Sequence, residues 1–179
     1  ALIGGVVYRC ATAERKSSFF RGAVAVFVGK QVASSLEQSG RIGLTGKRQT
    51  VTILFTDIRG FTAFCESKDP ALVVDLLNNY MTVMVKVIVQ YGGHVNKFIG
   101  DGILAVFSDD DEGAKPGDHA YRAIAAATEM VKEKVGDFKT GAGIHSGEVV
   151  IGNVGSSDKM EFTVLGDTVN LASRLESLK

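Results

Sequence analysis

Apolar residues recur along the chain with two different periods, and together these periods predict alternating strands and helices. A β-branched apolar run over residues 51–57 predicts a buried strand, and apolar residues at helical spacing between Asp69 and Gly93 predict a helix. The pattern further predicts strands over 95–99, 103–107, 139–146, 148–154 and 161–165, and helices over 118–135 and 168–178. This order, β-α-β-β-α-β followed by further strands, predicts an α+β sheet with its helices on one face.

The first 46 residues differ from the rest in their pattern. Apolar residues at helical spacing over 19–36 predict a connecting helix, and the glycine-rich loop after it places a domain boundary near residue 46. Residues 1–8 are apolar and basic residues follow them, which predicts either the cytoplasmic end of a membrane helix or a docked N-terminus. We therefore expect a juxtamembrane or connecting helical arm over 1–46 and a second domain over 47–179.

The composition, with 45% hydrophobic and 22% charged residues among 179, is that of an ordered globular chain of about one domain. Its two cysteines exclude a disulfide framework or a cysteine zinc site, and they favour a reducing, cytosol-facing compartment. The formal net charge is zero, but residues 1–50 carry eight basic and two acidic residues, so the remainder is acidic. The neutral total therefore does not exclude a polyanionic ligand.

Two aspartates have positions that suit metal chemistry. Asp57 ends the first buried strand, and Asp101 lies at the tip of a predicted hairpin, Gly100-Asp101-Gly102. A carboxylate at the mouth of a buried strand costs free energy unless a hydrogen bond, water or metal compensates it. If a helix begins within residues 58–62, its N–H groups form a cradle for phosphate, and Mg²⁺ is commonly held jointly by carboxylates and phosphates. The alternative interpretation makes Asp57 a helix cap and Asp101 a turn former.

Asn170 and Arg174 are four residues apart on the last predicted helix, so both lie on one face of it. A guanidinium beside a neutral amide can receive the charge that develops on a transferring phosphoryl group, although an exposed helical arginine is more commonly only solvated. Lys97 and Thr163 are ordinary strand residues when taken alone. His145 lies in a glycine-rich strand whose glycines match no phosphate-loop pattern, and we interpret it as structural.

Three stretches closely resemble the class III nucleotidyl cyclases: FTDIRGFT at 55–62, NKFIGDG at 96–102 and FTVLGDTVNLASR at 162–174. The resemblance runs from about Lys47 to the C-terminus, with the three motifs in the family's order. It implies a ferredoxin-like βαββαβ core, and family domains continue through further strands beyond the point where this chain ends at Lys179. A family lysine that contacts the triphosphate lies in that later stretch. The implied activity is that of an adenylyl cyclase, a lyase that converts ATP into cyclic AMP and pyrophosphate.

The resemblance also implies a role for each matching residue. Asp57, Asp101 and the Ile58 carbonyl correspond to the ligands of two Mg²⁺ or Mn²⁺ ions per active site. Asn170 corresponds to the asparagine that orients the ribose, and Arg174 to the arginine that stabilises the transition state. In the family these two come from the opposite subunit, which implies a homodimer with two equivalent sites. The predicted substrate-binding residues are Lys97, Thr163, Ile58, Arg59, Gly60, Phe61 and Thr62.

Lys97 and Thr163 correspond to the family's purine-reading pair. Lysine can donate to adenine N1 and threonine can accept from the N6 amine, whereas guanine presents a donor at N1, so the pair favours ATP. The threonine resembles the subgroup that contains bicarbonate-stimulated adenylyl cyclases. A guanylyl or dual-specificity cyclase, and a non-catalytic nucleotide-binding dimerisation module, remain alternatives. We expect the domain at the cytoplasmic face of a membrane, downstream of a membrane or sensor domain, with no nucleic-acid partner.

Overall fold

The computed structural model of the chain describes residues 46–156 and 160–178, so the predicted arm lies outside the described residues except for Gly46. A larger unit, Gly46–Gly152 with Thr163–Lys179, carries the whole candidate site. The other described residues, 153–156 and 160–162, belong to a second unit and contain the adjoining ends of two strands. In chain order the described elements are β1 (Lys47–Ile58), α1 (Phe61–Glu66), α2 (Pro70–Gln90), β2 (His94–Ile99), β3 (Gly102–Phe107), α3 (His119–Lys132), β4 (Thr140–Gly155), β5 (Met160–Leu165) and α4 (Asp167–Glu176).

The described strands form one sheet in the order β2-β3-β1-β4-β5, with β1 in the middle. β1 pairs antiparallel with β3 and with β4, and β2 pairs antiparallel with β3 in the predicted hairpin. The central position of β1 follows from its sequence, because an apolar run of this length has to be covered on both faces. The α+β fold class is therefore confirmed.

The helices cover both faces of the sheet, and the prediction that they share one face is wrong. Alternate side chains of β1 point to opposite sides, so Leu54 and Ile58 pack with α2 and α3 whereas Val51 and Ile53 pack on the other side with α4. A sheet whose central strand is apolar on both faces needs a helix on each of them. The last helix therefore lies opposite the two long ones, with Ala172 buried against the sheet.

α2 is a core helix with a well-defined beginning. Pro70 occupies its first turn, and the Asp69 carboxylate accepts from two N–H groups of that turn. Among the described helices it has the length and apolar composition to span a membrane. It nevertheless buries one face against the sheet, where the Tyr80 hydroxyl is hydrogen-bonded to Thr140 Oγ1 at 3.0 Å. This packing accounts for only part of its apolar composition, because Leu72, Val74 and Val89 stay exposed.

β4 is one continuous strand of 16 residues, where the sequence predicted two strands separated at Gly147. The glycine does not turn the chain there. A Cβ at this position would lie 2.6 Å from Thr168 Oγ1, so the residue is small because α4 lies against it. A glycine kept for close approach and a glycine kept for a turn look alike in a sequence.

Three glycines on the same face of β4, which we call the glycine track, leave room for α4 and for the Arg59 side chain. They are Gly141, Gly143 and Gly147, and the buried face of α4 consists of Thr168, Ala172 and Glu176. A Cβ at Gly143 would collide with the backbone N of Glu176 and would lie 2.5 Å from the carbonyl O of Ala172. The backbone of α4 thus lies almost directly on the backbone of the strand.

We predict that Gly143→Ala destabilises the protein by about 1–3 kcal/mol, because the new methyl group meets helix backbone that cannot rotate away. Gly147→Ala is the matched comparison on the same face of β4, and it should cost less because its methyl group meets only a threonine side chain. Urea denaturation of both variants measures the free energies of unfolding. Equal costs for the two variants would contradict the proposed backbone contact.

Candidate active site

The structure brings Asp57 and Asp101 together. Asp57 is next to last in β1, and Asp101 lies in the turn between β2 and β3, which the pairing of β3 with β1 places beside that strand end. Asp101 Oδ2 accepts from the Ile58 N–H at 3.2 Å, and the Asp101 carboxyl lies near enough to raise the pKa of Asp57. A Cβ at Gly102 would lie 2.5 Å from the Thr56 carbonyl O, so glycine is required for this close approach.

The surroundings of Asp57 disfavour its negative charge. Burial raises the pKa of its carboxyl from 3.8 to about 6, with further contributions from the Asp101 hydrogen bond and from the negative charges of Asp101 and Glu176. The Ile58 N–H acts in the opposite direction. A bound cation would relieve both the repulsion and the cost of burial, so the electrostatics of this place suit a positive ligand.

The donor set fits a cation that is shared with phosphate. Across residues 46–156 and 160–178, no three His, Cys, Asp or Glu side chains come together as a potential metal-binding group. The donors expected at this strand end are the two carboxylates, together with the Ile58 carbonyl that the family resemblance implies. Mg²⁺ takes oxygen ligands, seldom has a complete protein cage and is commonly completed by water and substrate phosphates. Zinc, which requires three or four nitrogen or sulfur ligands at most sites, does not fit.

The structure leaves fewer N–H groups for the predicted phosphate cradle than the sequence suggested. Gly60, at φ 75°, begins α1, whose first turn holds Phe61 and Thr62. The N–H of Ile58 is directed to Asp101, and the N–H of Arg59 donates to the Lys139 carbonyl at 2.9 Å. The N–H groups available for the predicted role are therefore those of Gly60, Phe61 and Thr62, which a helix start leaves without partners inside the helix.

Arg59 and Glu176 form an ion pair that the sequence analysis missed. Arg59 Nη1 lies 2.9 Å from Glu176 Oε1, and Nη2 donates to the Glu176 carbonyl at 2.7 Å. The guanidinium fills the place where a side chain on Gly141 would be. The available signal was periodicity, because Thr168, Ala172 and Glu176 recur every four residues and place a glutamate on a buried face, where it needs a partner.

Asn170 and Arg174 are exposed on α4, away from the face that packs on the sheet. Within one chain they therefore do not join Asp57 and Asp101. Lys97 is half-buried on β2 and Thr163 is buried on β5. These are the two outer strands of the described sheet, with β3, β1 and β4 between them, so the sheet order alone does not bring the predicted purine-reading pair together.

Residues 45–179 match the model of a protein family described as the adenylate and guanylate cyclase catalytic domain. Adenylate cyclase 1 of Rhizobium meliloti is 33% identical over 163 residues, which cover 86% of this chain and 24% of that protein. The chain thus spans about a quarter of the length of the curated relatives that it matches.

Two solved structures show the range of similar domains. The adenylyl cyclase CyaB from P. aeruginosa is 34% identical with a TM-score of 0.67, over 75% of this chain and 74% of that one. The guanylyl cyclase Cya2 is 38% identical with a TM-score of 0.65, over 74% of this chain and 71% of that one. Similarity alone therefore does not decide between adenine and guanine.

We predict that Asp57→Asn stabilises the metal-free protein in a pH-dependent way. The pKa of Asp57 is higher in the native state than in the unfolded chain, so native stability falls as pH rises from about 4 to about 6. The variant should therefore gain about 2–4 °C in Tm above pH 6, which corresponds to about 1 kcal/mol after discounting for solvent screening, and much less near pH 4. Thermal melts in chelator across this range measure the gain.

Excess Mn²⁺ should then raise the Tm of the unmodified chain and leave Asp57→Asn nearly unchanged. Asp75→Asn, at an exposed position on α2, is the control and should alter neither result. An equal response of Asp57→Asn to Mn²⁺ would contradict the assignment of Asp57 as a ligand.

Proposed function

The chain belongs to the family of adenylate and guanylate cyclase catalytic domains, and from this premise we propose that it converts ATP into cyclic AMP and pyrophosphate. One observation carries the proposal. The Asp57 and Asp101 carboxyls meet at the end of the central strand, in surroundings that disfavour negative charge, directly before the first turn of α1. This arrangement suits a triphosphate that arrives with divalent cations.

In this proposal Asp57, Asp101 and the Ile58 carbonyl hold two Mg²⁺ or Mn²⁺ ions. The ions supply positive charge that favours the ionised 3′-hydroxyl and neutralises the departing pyrophosphate. The N–H groups of Gly60, Phe61 and Thr62 bind phosphate oxygens. The 3′-oxygen bonds to the α-phosphorus, the bond from that phosphorus to the bridging oxygen of the β-phosphate breaks, and the 3′-hydroxyl proton leaves to solvent.

We propose further that each site is shared by two copies of the chain. Asn170 and Arg174 are both exposed on α4, which supports a role in the site of a partner. Leu171 and Leu175 are also exposed on α4, next to them, which suits contact with a second copy. Asn170 would orient the ribose, and the Arg174 guanidinium would stabilise the charge that develops on the α-phosphate.

The preference for ATP rests on Lys97 and Thr163. Lysine donates and cannot accept, so it complements N1 of adenine and opposes the N–H at N1 of guanine. Thr163 lies on β5, and its hydroxyl oxygen can accept from the N6 amine of adenine. A guanylyl or dual-specificity cyclase is the second candidate, because the guanylyl cyclase Cya2 is about as similar to this chain as the adenylyl cyclase CyaB is.

We also propose that the domain works at the cytoplasmic face of a membrane, controlled by a preceding membrane or sensor domain. The apolar residues 1–8 with basic residues after them support this placement. Fractionation of the complete natural protein tests it, and recovery of that protein only in the soluble fraction would contradict it.

The sharing of active sites between two chains leads to a testable prediction. Asp57→Ala and Arg174→Ala should each lower cyclic AMP production by about 100-fold or more, since one removes a metal ligand and the other removes charge stabilisation. Mixing the two inactive chains should restore part of the activity through one intact composite site per mixed dimer. Product is measured by chromatography with ATP and Mg²⁺ or Mn²⁺ over a range of protein concentrations.

Absence of recovery in samples that contain mixed dimers would contradict shared sites. Nucleotide binding by the unmodified chain without any product, at every concentration and with either metal, would instead favour the non-catalytic dimerisation module.

The assignment of Lys97 as a purine-reading residue leads to another testable prediction. Lys97→Glu should lower kcat/KM for ATP and raise it for GTP, shifting the ratio by about 10-fold or more, because a carboxylate accepts from N1 of guanine and repels N1 of adenine. Lys86→Glu on α2 is an exposed control with the same charge change. A ratio that moves no further than in this control would overturn the base-reading assignment.

A further inference from the structure

We propose that Arg59 and Glu176 are positioning residues that connect the aspartate end of β1 to the helix that carries Arg174. The inference rests on the proposed function and adds to it, because it joins groups that are expected to serve two different active sites. Arg59 directly follows Ile58, and Glu176 is two residues after Arg174. The ion pair between them is therefore a direct link within one chain between the two halves of the catalytic machinery.

The link joins Arg59 to both the side chain and the backbone of Glu176. The guanidinium contacts the side chain of Glu176 at 2.9 Å and its backbone carbonyl at 2.7 Å. The backbone N–H of Arg59 donates to the Lys139 carbonyl at 2.9 Å. Glu176 is only 8% exposed. Gly141 leaves the space that the guanidinium fills. Arg59 is thus fixed at both its backbone and its side chain.

The link also explains a residue that is unfavourable by itself. Glu176 is the last residue of α4, where the helix dipole disfavours a negative charge and the final carbonyl groups have no partners within the helix. Arg59 supplies both missing parts, a positive charge for the carboxylate and a donor for the terminal carbonyl. In effect the strand end provides the C-terminal cap of α4.

A consequence for the reaction follows from the proposed sharing of sites. The Asp57 of a chain serves one site, and its Arg174 serves the other. A shift of the β1 end when metal and nucleotide bind is therefore transmitted through Arg59 and Glu176 to the arginine of the second site. Loss of the link should misplace Arg174 in the transition state and leave nucleotide binding nearly intact.

The test compares Arg59→Gln, Glu176→Gln and the double variant with Arg48→Gln. Arg48 is the matched control, because it is also on β1 and pairs with Glu148 at 2.9 Å, but at the opposite end of the strand. Each variant of the link should lower kcat by about 10- to 100-fold and keep KM within about twofold of the unmodified chain. A misplacement of Arg174 by about 1 Å is enough to cause a loss of this size. The double variant should lose no more than the single ones, and Arg48→Gln should keep its kcat.

Mixed dimers separate positioning from a general loss of stability. When Asp57→Ala and Arg174→Ala chains are mixed, the intact site takes Arg174 from the first chain and Asp57 from the second. Adding Arg59→Gln to the first chain should lower kcat without changing the metal requirement. Adding it to the second should raise the Mn²⁺ concentration needed for half-maximal activity. Identical effects from the two placements would overturn the inference.

Two further outcomes would also overturn it. If Arg59→Gln raises KM with kcat retained, Arg59 binds the triphosphate directly. If the losses of Arg59→Gln and Glu176→Gln add and parallel their loss of Tm, the pair only stabilises the fold.

A measurement without turnover keeps the inference separate from the proposed function. Mn²⁺ with the non-cyclising analogue α,β-methylene ATP should slow amide hydrogen exchange in α4 of the unmodified chain and of Arg48→Gln, but not of Arg59→Gln. Equal protection in all three would refute the link. A chain that shows the expected protection but makes no cyclic nucleotide would refute only the proposed function.

Discussion

The fold depends on the burial of the central strand on both of its faces. Val51 and Ile53 point to one side of β1 and Leu54 and Ile58 to the other, so a helical layer is needed on each side. The same alternation sets the direction of Asp57, which follows on the side of Val51, toward α4 and the glycine track. The first aspartate of the site is therefore oriented by the requirement that places the last helix.

The electrostatics of the site follow from this position. Asp57 lies near Asp101 and Glu176, and burial together with these negative groups raises its pKa to about 6. Among the contacts described for these three carboxyl groups, only Glu176 is paired with a guanidinium, that of Arg59. In the proposed function the two aspartates would be neutralised by a cation that arrives with the substrate, and a chain of zero net charge could then bind a polyanion.

The parts of the structure that depend on neighbouring residues could be predicted from the sequence. The hairpin around Asp101, the buried strand before Asp57 and the helix that begins at Pro70 each carry a local signal, and the structure contains all three. The parts that depend on distant contacts could not. Residues 59 and 176 are far apart in the chain, and Gly147 resembles a turn until α4 is known to lie on it. The roles of Lys97, Thr163, Asn170 and Arg174 stay predictions, since they require a nucleotide and a partner.

The glycine track determines how α4 is held. When helices pack through their side chains, the ridges of one fit into the grooves of the other, so the helices resist sliding along each other. At Gly143 backbone lies on backbone, so no side chains interlock there to fix α4 along the strand. Two polar contacts at the ends of α4 add to its packing: Thr168 Oγ1 donates to the Glu148 carbonyl at 2.8 Å, and the Glu176 carbonyl accepts from Arg59. A register error of a single residue in this contact would carry Arg174 about 1.5 Å along the helix axis, so the two polar contacts at the helix ends bear directly on its placement.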